Sequence, residues 1–236
     1  MNPTRKTAVV TGVVFIVATV AALAAAALAP DLTGPGYLAQ VAAHANQVAA
    51  SALLYLIAAF ASAGIAVSLY PVLSRTNAGL AMGSVVFRTL EAALYLVPVV
   101  GLLSLVSLGQ QATTAGAADG ASLTAVGGAL VSLRDHGTLA GVFAFSLGAG
   151  LYYVAFFQSR LIPQWLSGWG IVAVILMAAA CVSSLFTGSP VTGYALLVLP
   201  IFLQEMVLAA WLIVKGFSAT AAVPAGVALQ PALAAA

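Results

Sequence analysis

The chain has 236 residues, 63% hydrophobic and 5% charged, where an ordinary soluble domain carries about 25% charged residues. Too few charges remain to cover a water-facing fold, so the length is read as a series of membrane spans joined by short loops. The net charge of +2 comes from seven Lys and Arg against five Asp and Glu. No basic run or basic-aromatic interleaving is present, which argues against nucleic acid as a partner and leaves the lipid bilayer.

Six uncharged or nearly uncharged runs are predicted to span as helices: 8–29, 49–69, 79–107, 137–157, 168–186 and 193–214. Barrel strands need only about 10 residues, so runs of this length require helices, which satisfy their own backbone groups in hydrocarbon. The fold class expected is therefore all-α, a polytopic six-transmembrane-helix bundle forming one membrane domain over 1–217. The first run follows Arg5 and Lys6 and ends in Ala-Leu-Ala before Pro30, as a signal peptide would. Its apolar stretch exceeds the roughly 7 to 15 residues of a signal core, which predicts a retained first helix. Between the third and fourth runs, 109–135 reads as a long loop. Within it Leu123, Val126, Leu130 and Leu133 recur at helical spacing, consistent with a short interfacial helix or with a plain loop. The Ala- and Pro-rich tail, 218–236, is expected to be disordered.

Positive charge orients the spans, because cytoplasmic loops retain Lys and Arg. Arg5, Lys6, Arg75, Arg160 and Lys215 fall on one side, whereas the other has Arg134 with Asp31, Asp119 and Asp135. Both termini are predicted to be cytoplasmic, in a bacterial inner membrane. Trp165, Trp169 and Trp211 fall near the same face, where an interfacial aromatic belt belongs.

Three charges lie inside the predicted spans. Arg88 is nine residues past Gly79 and Glu205 ten before Lys215, which at 1.5 Å per residue puts both about 13 to 15 Å from the cytoplasmic side. Glu91 is one turn beyond Arg88, on a face that also carries Ser84 and Tyr95. A charge at the bilayer centre costs about 2.5 to 3.5 kcal/mol even on lenient scales, so these groups are expected to face inward and pair. Arg88 is predicted to bridge Glu91 in its own helix and Glu205 across the bundle, with Tyr55, Ser84, Tyr95 and Gln204 as supporting hydrogen-bonding groups. One carboxylate then exceeds the cations. The cluster reads either as a packing clamp in a structural or regulatory subunit, or as a proton or cation site in a small carrier with an unknown small-molecule or ion substrate. Glu91 follows Gly79 and Glu205 follows Gly193 by the same twelve residues, the form of an inverted repeat, although the flanking residues align poorly. Gly137, Gly141, Ser146 and Gly150 suggest close helix packing by the fourth span.

Chemistry at the far face has less support. His44, His136 and Asp135 lie near that boundary, but no HExxH or similar compact set marks a zinc site, and no metal is expected. Ser51 and Ser146 lack a GxSxG elbow, so no catalytic residue is assigned and an intramembrane lipid-modifying enzyme ranks third. Neither a P-loop nor a dinucleotide fingerprint is present, and no cofactor is expected. Cys181 stands alone, which excludes an internal disulfide. A homo-oligomer is compatible with everything above.

Three segments carry a family resemblance. They are Ser-Leu-Tyr-Pro-Val-Leu-Ser-Arg (68–75) leading into Phe-Arg-Thr-Leu-Glu-Ala-Ala-Leu-Tyr (87–95), then 152–170 with its Gln-Ser-Arg-Leu-Ile-Pro-Gln-Trp-Leu-Ser-Gly-Trp-Gly end, and Gln-Glu-Met-Val-Leu-Ala-Ala-Trp-Leu-Ile-Val-Lys-Gly-Phe (204–217). Together they resemble a bacterial family of small multi-pass membrane proteins classified only as a domain of unknown function (DUF4386-like). The resemblance implies the six-helix architecture and no particular activity.

Overall fold

The computed structural model describes residues 3–32, 34–114 and 116–218; the tail expected to be disordered lies almost wholly outside them. Eight α-helices and no strand occur among the described residues: α1 (Pro3–Leu28), α2 (Tyr37–Ala43), α3 (Ala45–Leu73), α4 (Ala78–Leu94), α5 (Leu96–Ala112), α6 (Ala117–Ser159), α7 (Gln164–Thr187) and α8 (Ala195–Val214), with a 3-10 turn at Val191–Gly193 before the last. Six of the helical stretches are long and apolar enough to cross a membrane, α4 and α5 together forming the third. Large apolar side chains well inside the spans, such as Phe60, Val100 and Ile175, are more than 60% exposed. Lipid, not water, is the solvent that makes such a surface stable.

The helix ends follow local chemistry. The Asn77 side chain accepts from the Leu80 N–H at 3.0 Å and caps α4 directly after the 74–77 turn. Gly188 stops α7 with φ +70, a left-handed conformation that glycine adopts without steric cost. Arg160, at φ 52, does the same for α6 and leads into Pro163, which precedes α7. At the end of α8 the Arg5 guanidinium donates to the carbonyls of Leu212 at 3.0 Å, Ile213 and Val214 at 3.3 Å. A side chain of α1 thus satisfies backbone acceptors that a helix C-terminus leaves open.

The spans pack in a closed ring in chain order. α1 lies on α3, α3 on α4 and α5, these on α6, α6 on α7, α7 on α8, and α8 back on α1. α1 is therefore a wall of the bundle. Its seam with α8 is tight at Gly12, where a Cβ would come within 2.8 Å of the Ala209 carbonyl and 2.7 Å of Ile213. The face bearing both termini is closed by a core that includes Phe15, Leu69, Leu73, Tyr152, Tyr153 and Phe156. A second cluster around Tyr37, Leu38, Val41, Val99, Leu102 and Leu105 lies toward the opposite face.

Two sequence readings are corrected. The stretch 109–135 is not a long loop, and its helix is not a separate interfacial one: α6 starts at Ala117 and runs 43 residues without interruption, about 65 Å. Leu123 and Leu130 pack on the Tyr37 cluster, and Gly127 leaves space for the Tyr37 ring. Half of the apolar stripe thus faces α2 and α5, while Val126 and Leu133 remain exposed. The third span, in turn, is broken at Tyr95 between α4 and α5. Pro98 has no N–H for the Leu94 carbonyl, which loosens the helix at that turn.

Candidate functional site

Arg88, Glu91 and Glu205 are all buried and line one cavity of about 240 Å³ bounded by residues from all six spans. Its charged groups lie midway along α4 and α8, while Ala26, Thr138, Val191 and Thr192 bound it toward the face opposite the termini. The depth match between Arg88 and Glu205 therefore brings them to the same chamber.

On one side, Arg88 Nη1 and Glu91 Oε2 form an ion pair at 3.1 Å. Ser62 Oγ, from α3, donates to the same carboxylate oxygen at 2.6 Å. The Ser62 carbonyl accepts from Arg88 Nε at 3.4 Å. The guanidinium also lies 4.7 Å from the centroid of the Phe145 ring, where the negative ring face favours a cation. Gly148 gives Arg88 its passage along α6: a Cβ there would stand 3.0 Å from the Arg88 backbone nitrogen and 2.9 Å from its Cγ. Glycine in α6 thus permits the approach of α4 that the charge pair requires.

On the other side, Glu205 Oε2 accepts from Thr19 Oγ1 of α1 at 3.1 Å. Glu205 Oε1 is buried without a hydrogen bond of normal geometry, and the Tyr152 hydroxyl of α6, also unpartnered, is the donor group beside it. The expected Arg88 to Glu205 bridge is not formed: among the described residues Arg88 ion-pairs with Glu91, and the other ion pair is Arg134 with Asp135. The physical reason is the ring. α4 and α8 belong to the third and sixth spans, which face each other across the bundle with the cavity between them.

Of the supporting groups read from the sequence, Tyr55 and Tyr95 line the cavity. Ser84 Oγ is buried and unpartnered, and it gives the cluster no bond. Gln204 serves a different network. It accepts from the Tyr153 hydroxyl and donates to the Leu166 carbonyl at 3.1 Å, tying α8 to α6 and to the start of α7. Sequence reasoning missed Ser62, Thr19 and Phe145. Thr19 and Ser62 are lone small hydroxyls in apolar helices and gave no periodic signal; only their partners' need for donors could have pointed to them.

The far-face candidates are not gathered into a site. The His44 ring bonds the Gln40 carbonyl at 3.0 Å, and the His136 ring the Ser132 carbonyl at 2.7 Å, each within its own helical turn. Asp135 pairs with Arg134 at 3.3 Å. Ser51 donates to the Ala25 carbonyl and so ties α3 to α1, whereas Ser146 donates to the Val142 carbonyl one turn back in its own helix. Among the described residues no group of three His, Cys, Asp or Glu side chains could hold a metal ion.

The chemistry available is thus an asymmetric chamber. An Arg and a Glu neutralise each other at one wall, and a second carboxylate, held by neutral hydroxyls and in no ion pair, faces them from the other. No curated protein and no solved structure matches the chain. A family model described as a domain of unknown function (DUF4386) matches residues 10–216, and with nearly the whole described bundle inside that match the chain belongs to this family of multi-pass membrane proteins.

Proposed function

We propose that the protein is a small ion-coupled carrier of the bacterial inner membrane, with both termini cytoplasmic and Glu205 as its coupling site. The observation that carries this reading is the cavity that reaches Glu205 from the direction of the face opposite the termini. A pure packing clamp needs no chamber, and buried polar groups in a bundle core gain most from close contact. Here the second carboxylate lines open volume and has no cation paired with it, only neutral hydroxyl neighbours. Ionisable groups that line a cavity inside a membrane commonly mark ion and substrate pathways.

The coupling chemistry is a change of charge at Glu205. The ionisable groups around it are Arg88 and Glu91 from α4 and the Tyr152 and Tyr153 hydroxyls from α6; α1 supplies only the neutral Thr19 donor. Protonation removes the net negative charge of the three-residue cluster, so solute occupancy and proton occupancy are linked through one oxygen pair. Purified protein in liposomes enclosing a pH-reporting dye, challenged with a panel of small ionic and polar solutes, tests this. Solute-dependent pH changes are expected, reduced at least tenfold in Glu205→Gln, a variant able to keep the Thr19 bond. A wild type that is folded and silent toward every solute would remove the carrier reading.

A second reading keeps support from the opposite wall. Ser62, Arg88 and Glu91 form a fully buried link between α3 and α4, as a structural clamp would. The two roles fall on different residues and are separable by mutation.

A further inference from the structure

We infer that the cavity is a binding site for a small organic monocation, an alkylammonium-like solute with an apolar body, whose charged group is held by Glu205. This deepens the reading of the same cavity as a solute site. The sign of the charge follows from the lining: one guanidinium and two carboxylates are its charged members, and the guanidinium is already committed to Glu91 at 3.1 Å. Glu205 lines the cavity, and its Oε1 is a buried acceptor in no ion pair and in no hydrogen bond of normal geometry, with the neutral Tyr152 hydroxyl as the neighbouring donor group. An ammonium supplies the charge that this carboxylate lacks as a partner.

The rest of the lining selects an organic cation over a metal ion. A hard metal ion takes about six oxygen ligands, whereas here the walls around the acid are mostly alanine, aliphatic and aromatic. Tyr55, Tyr95, Phe145 and Phe202 contribute rings, which attract alkylammonium groups through their faces and shelter the apolar part. A volume of about 240 Å³ equals roughly eight water-sized units of ~30 Å³, which suits a solute of that many heavy atoms.

A route for such a solute is also present. Past the Thr19 to Glu205 bond, the cavity occupies the space between α1 and α8, with Ala22 and Leu23 on one helix and Val198 and Phe202 on the other. Leu23 borders the cavity and is also 51% exposed. An amphiphilic cation partitioned into the bilayer can enter there with its charged end leading.

The test compares hexylammonium, hexanol and hexanoate, equal in chain length and different in charge, on the purified full chain in detergent. Binding is read by thermal shift and by native mass spectrometry. Hexylammonium is expected to stabilise the wild type at concentrations at least tenfold below those needed for hexanol, with hexanoate inactive, and the preference to disappear in Glu205→Gln. Ala22→Phe, which fills the α1 wall and leaves the charges in place, is expected to abolish binding of both hexylammonium and hexanol. Equal responses to the three probes in the wild type, or preference for hexanoate, would overturn the inference whether or not the variants fold. Because this measures binding without flux, cation selectivity with no transport in liposomes would sink the carrier reading alone, and solute-driven proton flux without cation selectivity would sink this one alone.

Discussion

Arg88 and Glu91 are worth more as a pair than either is alone. Removing Arg88 leaves a carboxylate against Ser62 in a wall with no other cation, and breaking a buried pair costs about 3 to 5 kcal/mol. Arg88→Leu is therefore expected to lower thermal stability in detergent sharply. Glu91→Leu in the same chain should restore most of it, whereas Glu205→Leu should restore little because it is not Arg88's ion-pair partner. Equal rescue by both Glu changes would show that the two acids share the arginine after all. At this scale the sequence was partly legible. Burying charge in hydrocarbon is so costly that Arg88, Glu91 and Glu205 had to face inward, and they do. The pairing was not legible, because depth along a helix says nothing of where that helix stands around the bundle. Gln204, adjacent to Glu205, turns roughly 100° away on the helix and meets Tyr153 and Leu166 instead.

Among the elements, α8 depends on α1 for its end. Three consecutive carbonyls of α8 take donors from the one Arg5 guanidinium, and a planar fork reaches them in a way a point charge cannot. Arg5→Ala is expected to cost about 1.5 to 3 kcal/mol, measured as a lower unfolding temperature, and Arg5→Lys to recover only part of it. Full stability of Arg5→Ala would mean that water caps the helix equally well. Helix existence was readable from hydrophobic run length alone, since the bilayer fixes how long a span must be. Where an element's partner was remote, the reading failed. The stripe through Leu123 and Leu130 gave the right periodicity and the wrong setting, because the surface it packs on is built jointly by α5 and by α2, the latter some eighty residues earlier. The break at Tyr95 was foreshadowed only by Pro98.

For the whole molecule, the orientation prediction rests on where the cations lie. Arg5, Arg75, Arg160 and Lys215 share the termini face, so reporters fused after Arg75, Arg160 and Lys215 are expected to read cytoplasmic and one placed at 116–119 to read external. The reverse pattern would invert every statement about which side the cavity faces. The ring itself predicts a weak point at Gly12. Leucine there would push against the Ala209 backbone carbonyl, so Gly12→Leu should insert normally yet unfold at lower temperature and lose the cavity wall at Thr19. Unchanged stability would mean that α1 and α8 separate without cost. The order of the ring also bears on biogenesis. Each span after the first packs on the span made just before it, but the seam between α1 and α8 has to wait for the synthesis of the whole chain. A nascent chain of five spans therefore holds Arg88 and Glu91 in an open trough facing lipid, and the chamber comes into being only when the last helix is released from the ribosome.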